Sequence, residues 1–458
     1  MYVRGLAEEL SKLGLENVIA APAARRSDTG YGIWEEGGNK VRVWRFECRE
    51  GGGDLGEIYG EGDPVAAESF KKVLDAEKPD IVHFHAWSPA VSILLVREVK
   101  RRGLRMVQTY HTPTLSCPRG TLMRWGKTVC DGDLARRPCA ACCIHGKLGL
   151  GYRISDMGYG KDFGSGIPDS GFRIQGESQH RTSPNPGSRI PHKNIQGIRM
   201  LVSKLTTMLR MPGLIRKRTE AVREMFRGVD AMVALNDWSR KLLVLNSVDE
   251  KKIRLIRHGV SDAGFRSRDT GSDISKDRYP GLDAGRALRL VFLGRVAPEK
   301  GIDVLLRAME MVKIPVELDV YGIGAEGGSA KDMGYRISDI GNARVLWLAP
   351  VKPEQVVETI RKYDALVVPS VWLETGPLVV LEAFAAGVPV IGSRLGGIVE
   401  MVNEEVDGLL FQPGDSADLA GKLGKLPQKL ASMKKSVKVP RATHDVAQDH
   451  LKIYRSLQ

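Results

Sequence analysis

The sequence of 458 residues has no uninterrupted apolar run of about 18 residues, which is the length that a helix needs to cross a bilayer. Its first ten residues form an amphipathic pattern and lack the charged and apolar segments of a secretory leader. We therefore expect no membrane span and a cytoplasmic location, with the inner face of the membrane as the alternative.

Acidic residues are outnumbered, since 55 Asp and Glu stand against 68 Lys and Arg, and the formal net charge is +13. Nucleic acid would match this sign, but the chain has no compact nucleic-acid recognition motif, so we expect no such partner. Basic residues concentrate between positions 199 and 227, with apolar residues between them. This pattern is typical of a basic helical region that can lie on an anionic membrane surface, and equally of a solvated helix face.

Cysteine is scarce, with six in the chain, but five of them fall within residues 117–143. Cys117, Cys130, Cys139 and Cys142 contain a Cys-x2-Cys pair and two outlying cysteines, a set that can make a tetrahedral zinc site. In a cytoplasmic chain such a site is favoured over a disulfide framework. We therefore expect a structural zinc here, with free thiols, disulfides and an iron–sulfur cluster left open.

Helix and strand patterns alternate in the first 145 residues, which indicates a parallel α/β sheet. The predicted helices cover 1–13, 64–77 and 89–102, and the predicted strands cover 17–21, 80–85 and 105–110. A Gly-, Ser- and Pro-rich stretch without apolar period predicts a flexible insertion at 146–197. The predicted organisation is an N-terminal domain at 1–261, a linker at 262–286, a second α/β domain at 287–439 and a final helix at 440–458 that crosses back to the first domain.

Two glutamates eight residues apart, Glu374 and Glu382, flank the start of a predicted helix. Pro377 suits the first position of that helix and Gly387 suits its end. A helix N-terminus can bind phosphate, and carboxylates beside it can accept hydrogen bonds from sugar hydroxyls. Glu382 stands among apolar residues, where an unpaired carboxylate would be costly. Phosphate and polyol together indicate a nucleotide sugar as ligand.

Two cations follow a second predicted strand. Residues 288–294 are apolar except for Arg289, and Arg295 and Lys300 lie in the loop between this strand and a helical pattern. Open α/β sheets bind ligands beyond the carboxyl ends of their strands, where this loop lies. Fixed cations there can stabilise the negative charge of a departing diphosphate, arginine by gripping two oxygens and lysine as a point charge.

Residues 372–415 resemble the donor-binding signature of the retaining GT-B glycosyltransferases of group 1, or family 4. The shared pattern is Glu-x7-Glu, Ala-x-x-Ala-Gly-x-Pro-Val, Gly396-Gly397, Glu400 and Gly408-Leu-Leu-Phe-Gln-Pro-Gly-Asp415. The resemblance implies two Rossmann-like, doubly wound α/β domains that face each other across a cleft, with the donor in the C-terminal domain. It also implies a hexosyltransferase-type reaction that moves a sugar from a nucleoside-diphosphate sugar to an acceptor hydroxyl, with retention and without a required metal or cofactor.

The resemblance also implies roles for single residues. Glu374 contacts the donor sugar and Glu382 the ribose, while Arg295 and Lys300 bind the diphosphate in place of a metal. His111, at the end of a predicted strand, supplies the first domain's contact to the sugar and its phosphate. The implied acceptor is a glycan or a lipid-linked molecule. The candidate donor-binding residues are Arg295, Lys300, Glu374, Gly376, Pro377, Leu378 and Glu382.

One departure from the family pattern bears on activity. A GT-B first domain opens with a strand and a glycine-rich loop, whereas this sequence opens with a helical pattern. Loss of that central strand should destabilise the sheet and remove a loop that faces the diphosphate. This departure leaves a donor-binding but inactive partner subunit as an alternative. A GT-B sugar-nucleotide epimerase, with a different carboxylate and histidine set in the cleft, and a zinc-dependent nucleic-acid binder are two further alternatives.

Overall fold

A computed structural model describes residues 2–23, 25–36, 39–49, 55–125, 128–134, 138–147, 192–261, 286–322 and 336–458. The helices are α1 (Tyr2–Lys12), α2 (Leu55–Ile58), α3 (Pro64–Glu77), α4 (Ile93–Arg101), α5 (Pro138–Lys147), α6 (His192–Gly228), α7 (Asp237–Leu245), α8 (Ile302–Met311), α9 (Val356–Ile360), α10 (Leu378–Ala386), α11 (Ile398–Met401), α12 (Ser416–Ser436) and α13 (Thr443–Leu457). The strands are β1 (Val18–Pro22), β2 (Gly30–Glu36), β3 (Asn39–Phe46), β4 (Ile81–Phe84), β5 (Arg105–Thr109), β6 (Met123–Arg124), β7 (Thr128–Val129), β8 (Ala231–Ala234), β9 (Ile253–Leu255), β10 (Leu288–Leu293), β11 (Val316–Tyr321), β12 (Arg336–Ile340), β13 (Ala343–Leu348), β14 (Ala365–Val368), β15 (Val390–Ser393) and β16 (Gly408–Phe411).

The C-terminal domain is a seven-stranded sheet in the order β12-β13-β11-β10-β14-β15-β16, parallel except for β12. Successive strand residues point to opposite faces, and each face has its own core. Leu290 and Phe292 of β10 pack with α8 and α12, whereas Val291 packs on the other side with α9 and α10. Helices on both faces explain why β14 and β16 are continuous, fully buried apolar runs.

In the N-terminal domain, the described strands form two separate larger sheets, β1-β3-β2 and β4-β5-β8-β9. Sequence analysis missed the antiparallel hairpin of β2 and β3. Phe70 of α3 joins the sheets, because its ring lies 5.7 Å from that of Phe46 on β3 and 6.3 Å from that of Phe84 on β4. A shared aromatic core therefore holds these two sheets together.

Several elements differ from their predicted form. The basic segment is part of one 37-residue helix, α6, instead of separate helices. The cysteine-rich segment contains a β6–β7 hairpin and the helix α5. Residues 148–191 of the predicted insertion and 262–285 of the predicted linker lie outside the described residues. Among the described helices, none combines the length and apolar character needed to cross a bilayer.

The last helix, α13, lies along α1 of the N-terminal domain. Leu6 and Leu10 of α1 share a buried core with Val446 and Leu451 of α13. Tyr454 of the same helix reaches His83 at the end of β4, with 2.6 Å between its hydroxyl and the ring Nδ1. The two chain ends thus meet beside the carboxyl ends of the N-terminal strands.

Candidate functional site

Glu374 is the centre of a hydrogen-bond cluster in the C-terminal domain. Its Oε1 accepts from Lys300 Nζ at 2.6 Å, from Ser370 Oγ at 2.9 Å and from Trp372 Nε1 at 2.9 Å. The glutamate is buried, so these donors compensate its charge and fix its orientation. Sequence analysis proposed Lys300 and Glu374 for one site, and the structure brings them into contact. Sequence analysis did not predict that Ser370 and Trp372 bind Glu374. The only sequence signal for these contacts is that the two residues lie four and two positions before Glu374.

The contact between Lys300 and Glu374 follows from the sheet order. Strands β10 and β14 pair in parallel, so the loops after their carboxyl ends meet at one edge. Gly301 has φ 68°, and a Cβ there would lie 1.9 Å from the carbonyl oxygen of Pro369. Val371 N–H donates to Glu299 O at 3.0 Å between the same two loops. A glycine at 301 therefore permits the close approach that places Lys300.

The other two predicted charged residues lie apart from this contact. Arg295 is 63% exposed, and its Nη2 lies 3.5 Å from Glu299 Oε1 in its own loop. Glu382 lies in the second turn of α10, and burial raises the pKa of its carboxyl to about 7. Within the described part of the chain, no group forms a hydrogen bond or ion pair with Glu382. Its carboxylate is thus open to accept hydrogen bonds from ligand hydroxyls.

The start of α10 lies against the N-terminal domain. The helix begins at Leu378, one residue later than predicted, and Pro377 is its N-cap. The first turn of a helix carries unpaired backbone N–H groups that suit an anion. Gly376 has φ 152°, and a Cβ there would lie 3.1 Å from Cδ2 of His258. The candidate phosphate site therefore has the N-terminal domain as its other wall.

Thr375 connects the two domains beside this helix start. Its Oγ1 donates to the backbone oxygen of His111, and its own backbone oxygen accepts from Asn236 Nδ2 at 2.5 Å. Glu400 makes a second connection, because its carboxylate accepts from the backbone N–H groups of Asp237 at 2.9 Å and Trp238 at 2.7 Å, at the start of α7. Sequence analysis named Glu400 only as part of the family pattern and predicted none of these interdomain contacts, because they join segments more than 130 residues apart.

His111 lies two residues after the end of β5 and beside the Glu374 loop. Burial, together with the neighbouring His85, His258 and His450, holds the pKa of its imidazole well below the ordinary value. The ring is therefore neutral near pH 7. Of the two roles open to a histidine here, a hydrogen-bond partner fits this environment and a positive charge does not.

The cysteines of α5 lie near Cys117 and Cys130 but show no assembled metal site. Cys142 Sγ accepts from Trp125 N–H at 3.3 Å and from Arg119 Nη1 at 3.5 Å, and none of the six cysteines is in a disulfide bond. Among the described residues, no group of three or more His, Cys, Asp or Glu side chains is arranged to hold a metal ion. Burial raises the pKa of Cys139 to about 11, which favours its protonated thiol. Zinc at Cys117, Cys130, Cys139 and Cys142 stays a prediction.

Helix α6 presents its basic residues unevenly. Arg218 is buried and donates to the backbone oxygen of Thr114, so it belongs to the interior and not to a surface patch. Leu209 is 82% exposed on the same helix. The exposed basic residues of its described side chains are Arg210, Arg216, Lys217, Arg223 and Arg227.

Comparisons with known proteins agree with this architecture. Residues 276–436 match the family "Glycosyl transferases group 1", and residues 1–145 match "Glycosyl transferase 4-like domain". A D-inositol 3-phosphate glycosyltransferase of Rhodococcus erythropolis is 31% identical over 227 residues, which is 45% of this chain and 51% of that protein. The same enzyme of Acidothermus cellulolyticus is 32% identical over 203 residues, or 42% of this chain and 44% of its own length. The chain thus spans about half the length of these relatives.

Solved structures with the same arrangement are more distant in sequence. Sucrose-phosphate synthase from Thermosynechococcus elongatus superposes with a TM-score of 0.60 at 17% identity, covering 100% of this chain and 92% of that one. Anabaena HepE, solved in complex with UDP-glucose, superposes with a TM-score of 0.50 at 16% identity. The match covers 90% of this chain and 86% of the HepE chain. The fold is therefore GT-B, with residues 276–436 matching the group 1 glycosyl transferases and residues 1–145 matching the glycosyl transferase 4-like domain.

Proposed function

We propose that this protein transfers a sugar from a nucleoside-diphosphate sugar to an acceptor hydroxyl, with retention of anomeric configuration and without an essential metal ion. The observation that carries the proposal is the contact of Lys300 with Glu374 beside the start of α10, with the unpaired Glu382 in the same helix. The GT-B protein HepE was solved with UDP-glucose, which supports this donor class.

Each charged residue has a distinct task in this proposal. Lys300 has three N–H donors, so it can keep Glu374 and still donate to a diphosphate oxygen as negative charge develops there. Arg295, on an exposed part of the same loop, adds a second cation. Oε1 of Glu374 already accepts three hydrogen bonds, which leaves Oε2 for a sugar hydroxyl. Glu382 accepts from the ribose hydroxyls.

A panel of radiolabelled nucleoside-diphosphate sugars, incubated with a cell-extract fraction as acceptor, tests the transfer. NMR of the product's anomeric proton reports retention directly. Activity should survive EDTA, and a rate that is lost in EDTA and restored by magnesium would contradict a metal-free reaction.

The structural zinc is a separate proposal. Metal analysis of the purified chain should find about one zinc ion for each chain. Replacing Cys139 and Cys142 by serine should remove that zinc. A chain without zinc that reacts with thiol reagents at all five clustered cysteines would show free thiols instead.

An inactive partner subunit is the second candidate, and it is favoured by the described N-terminal strands, which form two separate sheets. Such a subunit would bind the donor without transferring or hydrolysing it. An epimerase would change the sugar of the donor without any acceptor, so chromatography of the donor after incubation distinguishes all three outcomes.

We further propose a glycan or lipid-linked acceptor, and that α6 rests on the anionic inner face of the membrane. The exposed Leu209 and the exposed basic residues of the helix support this arrangement, because apolar insertion and attraction to anionic lipid add together. Sedimentation with phosphatidylserine vesicles but not with phosphatidylcholine vesicles is expected. Replacing Arg216, Arg223 and Arg227 by glutamine should abolish it, whereas replacing the exposed Arg26, Arg295 and Arg394 should not.

A further inference from the structure

Five histidines from separate parts of the chain meet in one cluster below the cleft. The rings of His83 and His85 lie 3.9 Å apart, those of His83 and His450 lie 5.5 Å apart, and those of His111 and His258 are stacked at 6.0 Å. The residues of this histidine cluster are His83, His85, His111, His258 and His450. His83 lies in β4, the next three follow the carboxyl ends of β4, β5 and β9, and His450 lies on α13, so the fold of the N-terminal domain brings them together.

One hydrogen bond within the cluster reaches the ring of His111. His85 Nδ1 lies 2.9 Å from His111 Nε2. Strands β4 and β5 pair in parallel with Phe84 opposite Gln108, which places His85 and His111 just beyond the ends of neighbouring strands. His83 lies two residues before His85, inside β4, and its ring nitrogens are hydrogen-bonded to Tyr454 and Thr109 instead.

The other groups around His111 do not bond to its ring nitrogens. Thr375 donates to the backbone oxygen of His111, and Tyr2 packs its edge against the ring with 4.6 Å between the ring centroids. His258 stacks on the ring, but its Nδ1 is buried and has no hydrogen-bond partner. Among the described residues, His85 is therefore the group that can fix which nitrogen of His111 carries the proton.

We propose that His85 is a positioning residue: its Nδ1–H donates to Nε2 of His111 and thereby keeps the single proton of His111 on Nδ1, as a donor toward the nucleotide sugar. This inference rests on the proposed function, in which His111 meets the donor's sugar and phosphate.

The direction of the hydrogen bond follows from the ligand's chemistry. A neutral imidazole has one N–H and one lone pair, so the two nitrogens of His111 have opposite roles. Diphosphate and glycosidic oxygens only accept, so a histidine that contacts them must offer an N–H. If His111 donated to His85 through Nε2, its Nδ1 would present a lone pair to those oxygens and repel them. The productive arrangement therefore requires a donor at Nδ1 of residue 85.

Substitutions at position 85 separate this role from packing. In His85→Asn the amide nitrogen occupies the place of Nδ1 and can still donate, whereas His85→Leu keeps volume but has no donor. His83→Asn is the matched control, because His83 touches the same ring stack without bonding to His111. Two measurements report on each variant: kcat/KM for the nucleotide sugar selected by the donor panel, and the protonated nitrogen of His111 from ¹⁵N NMR of histidine-labelled protein.

The expected result is a proton on Nδ1 of His111 in the unsubstituted protein and in His85→Asn, with kcat/KM close to normal in both. His85→Leu should show a mixture of the two forms and a loss of kcat/KM of about tenfold, the size expected for one hydrogen bond. His83→Asn should leave the protonated nitrogen unchanged. A proton on Nε2 of His111 in the unsubstituted protein overturns the proposal, as does His85→Leu with an unchanged proton position.

The NMR measurement also separates this inference from the proposed function. It needs no turnover, so a protein that transfers no sugar but carries the Nδ1 proton in a His85-dependent way would contradict the transferase and retain the contact. Should His85→Leu fail to fold, the unsubstituted protein and His85→Asn still decide the question, because a proton on Nε2 in either one is incompatible with donation by residue 85.

Discussion

Lys300 and Glu374 lie 74 positions apart in the sequence, yet Lys300 Nζ is 2.6 Å from Glu374 Oε1. The side chain of Lys300 is 22% exposed and that of Glu374 is 11% exposed, so the pair sits at the edge of the interior, facing the cleft. Trp372 reinforces it, since its ring lies 5.4 Å from the ammonium and its Nε1–H bonds to the same carboxylate oxygen. The cation proposed for the diphosphate is thereby held in place by the acid proposed for the sugar.

Replacing this lysine should weaken diphosphate binding. Lys300→Met removes the ammonium, and a hydrogen bond to a charged group contributes about 1.5–3 kcal/mol, so the affinity for UDP should fall about 10- to 100-fold. Lys300→Arg should restore it only in part, because a planar guanidinium cannot reproduce a compact ammonium over Trp372. Calorimetric titration with UDP measures the change. Lys352→Met, at an exposed lysine of the same domain, is the control, and equal affinities for the two methionine variants would contradict the role of Lys300.

Glu382 should make donor binding depend on pH. Burial raises the pKa of its carboxyl to about 7, so the carboxylate is mostly ionised at pH 8 and mostly protonated at pH 6. Ribose hydroxyls bind the ionised form better, and affinity for UDP-glucose should therefore fall by up to about tenfold between pH 8 and pH 6. The two phosphates of UDP-glucose do not titrate in this range. Glu382→Gln should bind UDP-glucose weakly, with the same affinity at pH 8 and pH 6. If this variant keeps the pH dependence, a group other than Glu382 causes it.

Much of the donor site could be predicted because its signals are local. The segments around Lys300 and Glu374 each show a strand, a loop and a helix start, and parallel strands place such loops at a common edge. The contacts of Thr375 with His111 and of Glu400 with the start of α7 could not be predicted, because no local pattern records which surfaces of two domains meet.

The β2–β3 hairpin and the histidine cluster could not be predicted from local sequence patterns. Residues 30–46 carry no clean alternation, since glycines and charged residues interrupt it, and the β2–β3 hairpin is fixed by its pairing with β1. The histidine cluster was missed because it depends on contacts between segments that are distant in the sequence. Its members come from β4, from the loops after β4, β5 and β9, and from α13, and no local pattern shows that such separate segments meet.

The histidine cluster should make the protein sensitive to mild acid. Burial lowers the pKa of His85 to about 3 and those of His258 and His450 to about 4, and holds those of His83 and His111 well below normal. Below pH 6.5 the unfolded chain binds protons that the folded chain does not, so stability should fall as pH drops from 6.5 toward 5. Carboxylates with lowered pKa values, such as that of Glu98, add to the loss only below about pH 4.5.

Urea unfolding at pH 8, 6.5 and 5 tests this sensitivity. Glu382 acts in the opposite direction, because its folded pKa is raised, so the measurement is best made in the Glu382→Gln background. His258→Phe should reduce the loss between pH 6.5 and pH 5 without lowering the midpoint at pH 8, since its buried Nδ1 has no hydrogen bond to lose. Unchanged midpoints between pH 8 and pH 5 would mean that the cluster does not exclude protons.

Gly301 permits the close approach of the loops after β10 and β14, and its substitution can be compared with that of Gly414. Both have positive φ, 68° and 78°, but a Cβ at 301 would lie 1.9 Å from the carbonyl oxygen of Pro369, whereas one at 414 would meet nothing within 4 Å. Gly414→Ala should therefore cost about 1 kcal/mol of unfolding free energy from backbone strain alone.

Gly301→Ala should cost more, about 2 kcal/mol or above, because the loops after β10 and β14 must also separate. That separation moves Lys300 away from Glu374, so the variant should lose affinity for UDP as well as stability, while Gly414→Ala should lose stability only. Urea unfolding measures the stability of each variant, and titration with UDP measures its affinity. A Gly301→Ala protein with normal UDP affinity would show that the approach of the two loops does not position the lysine.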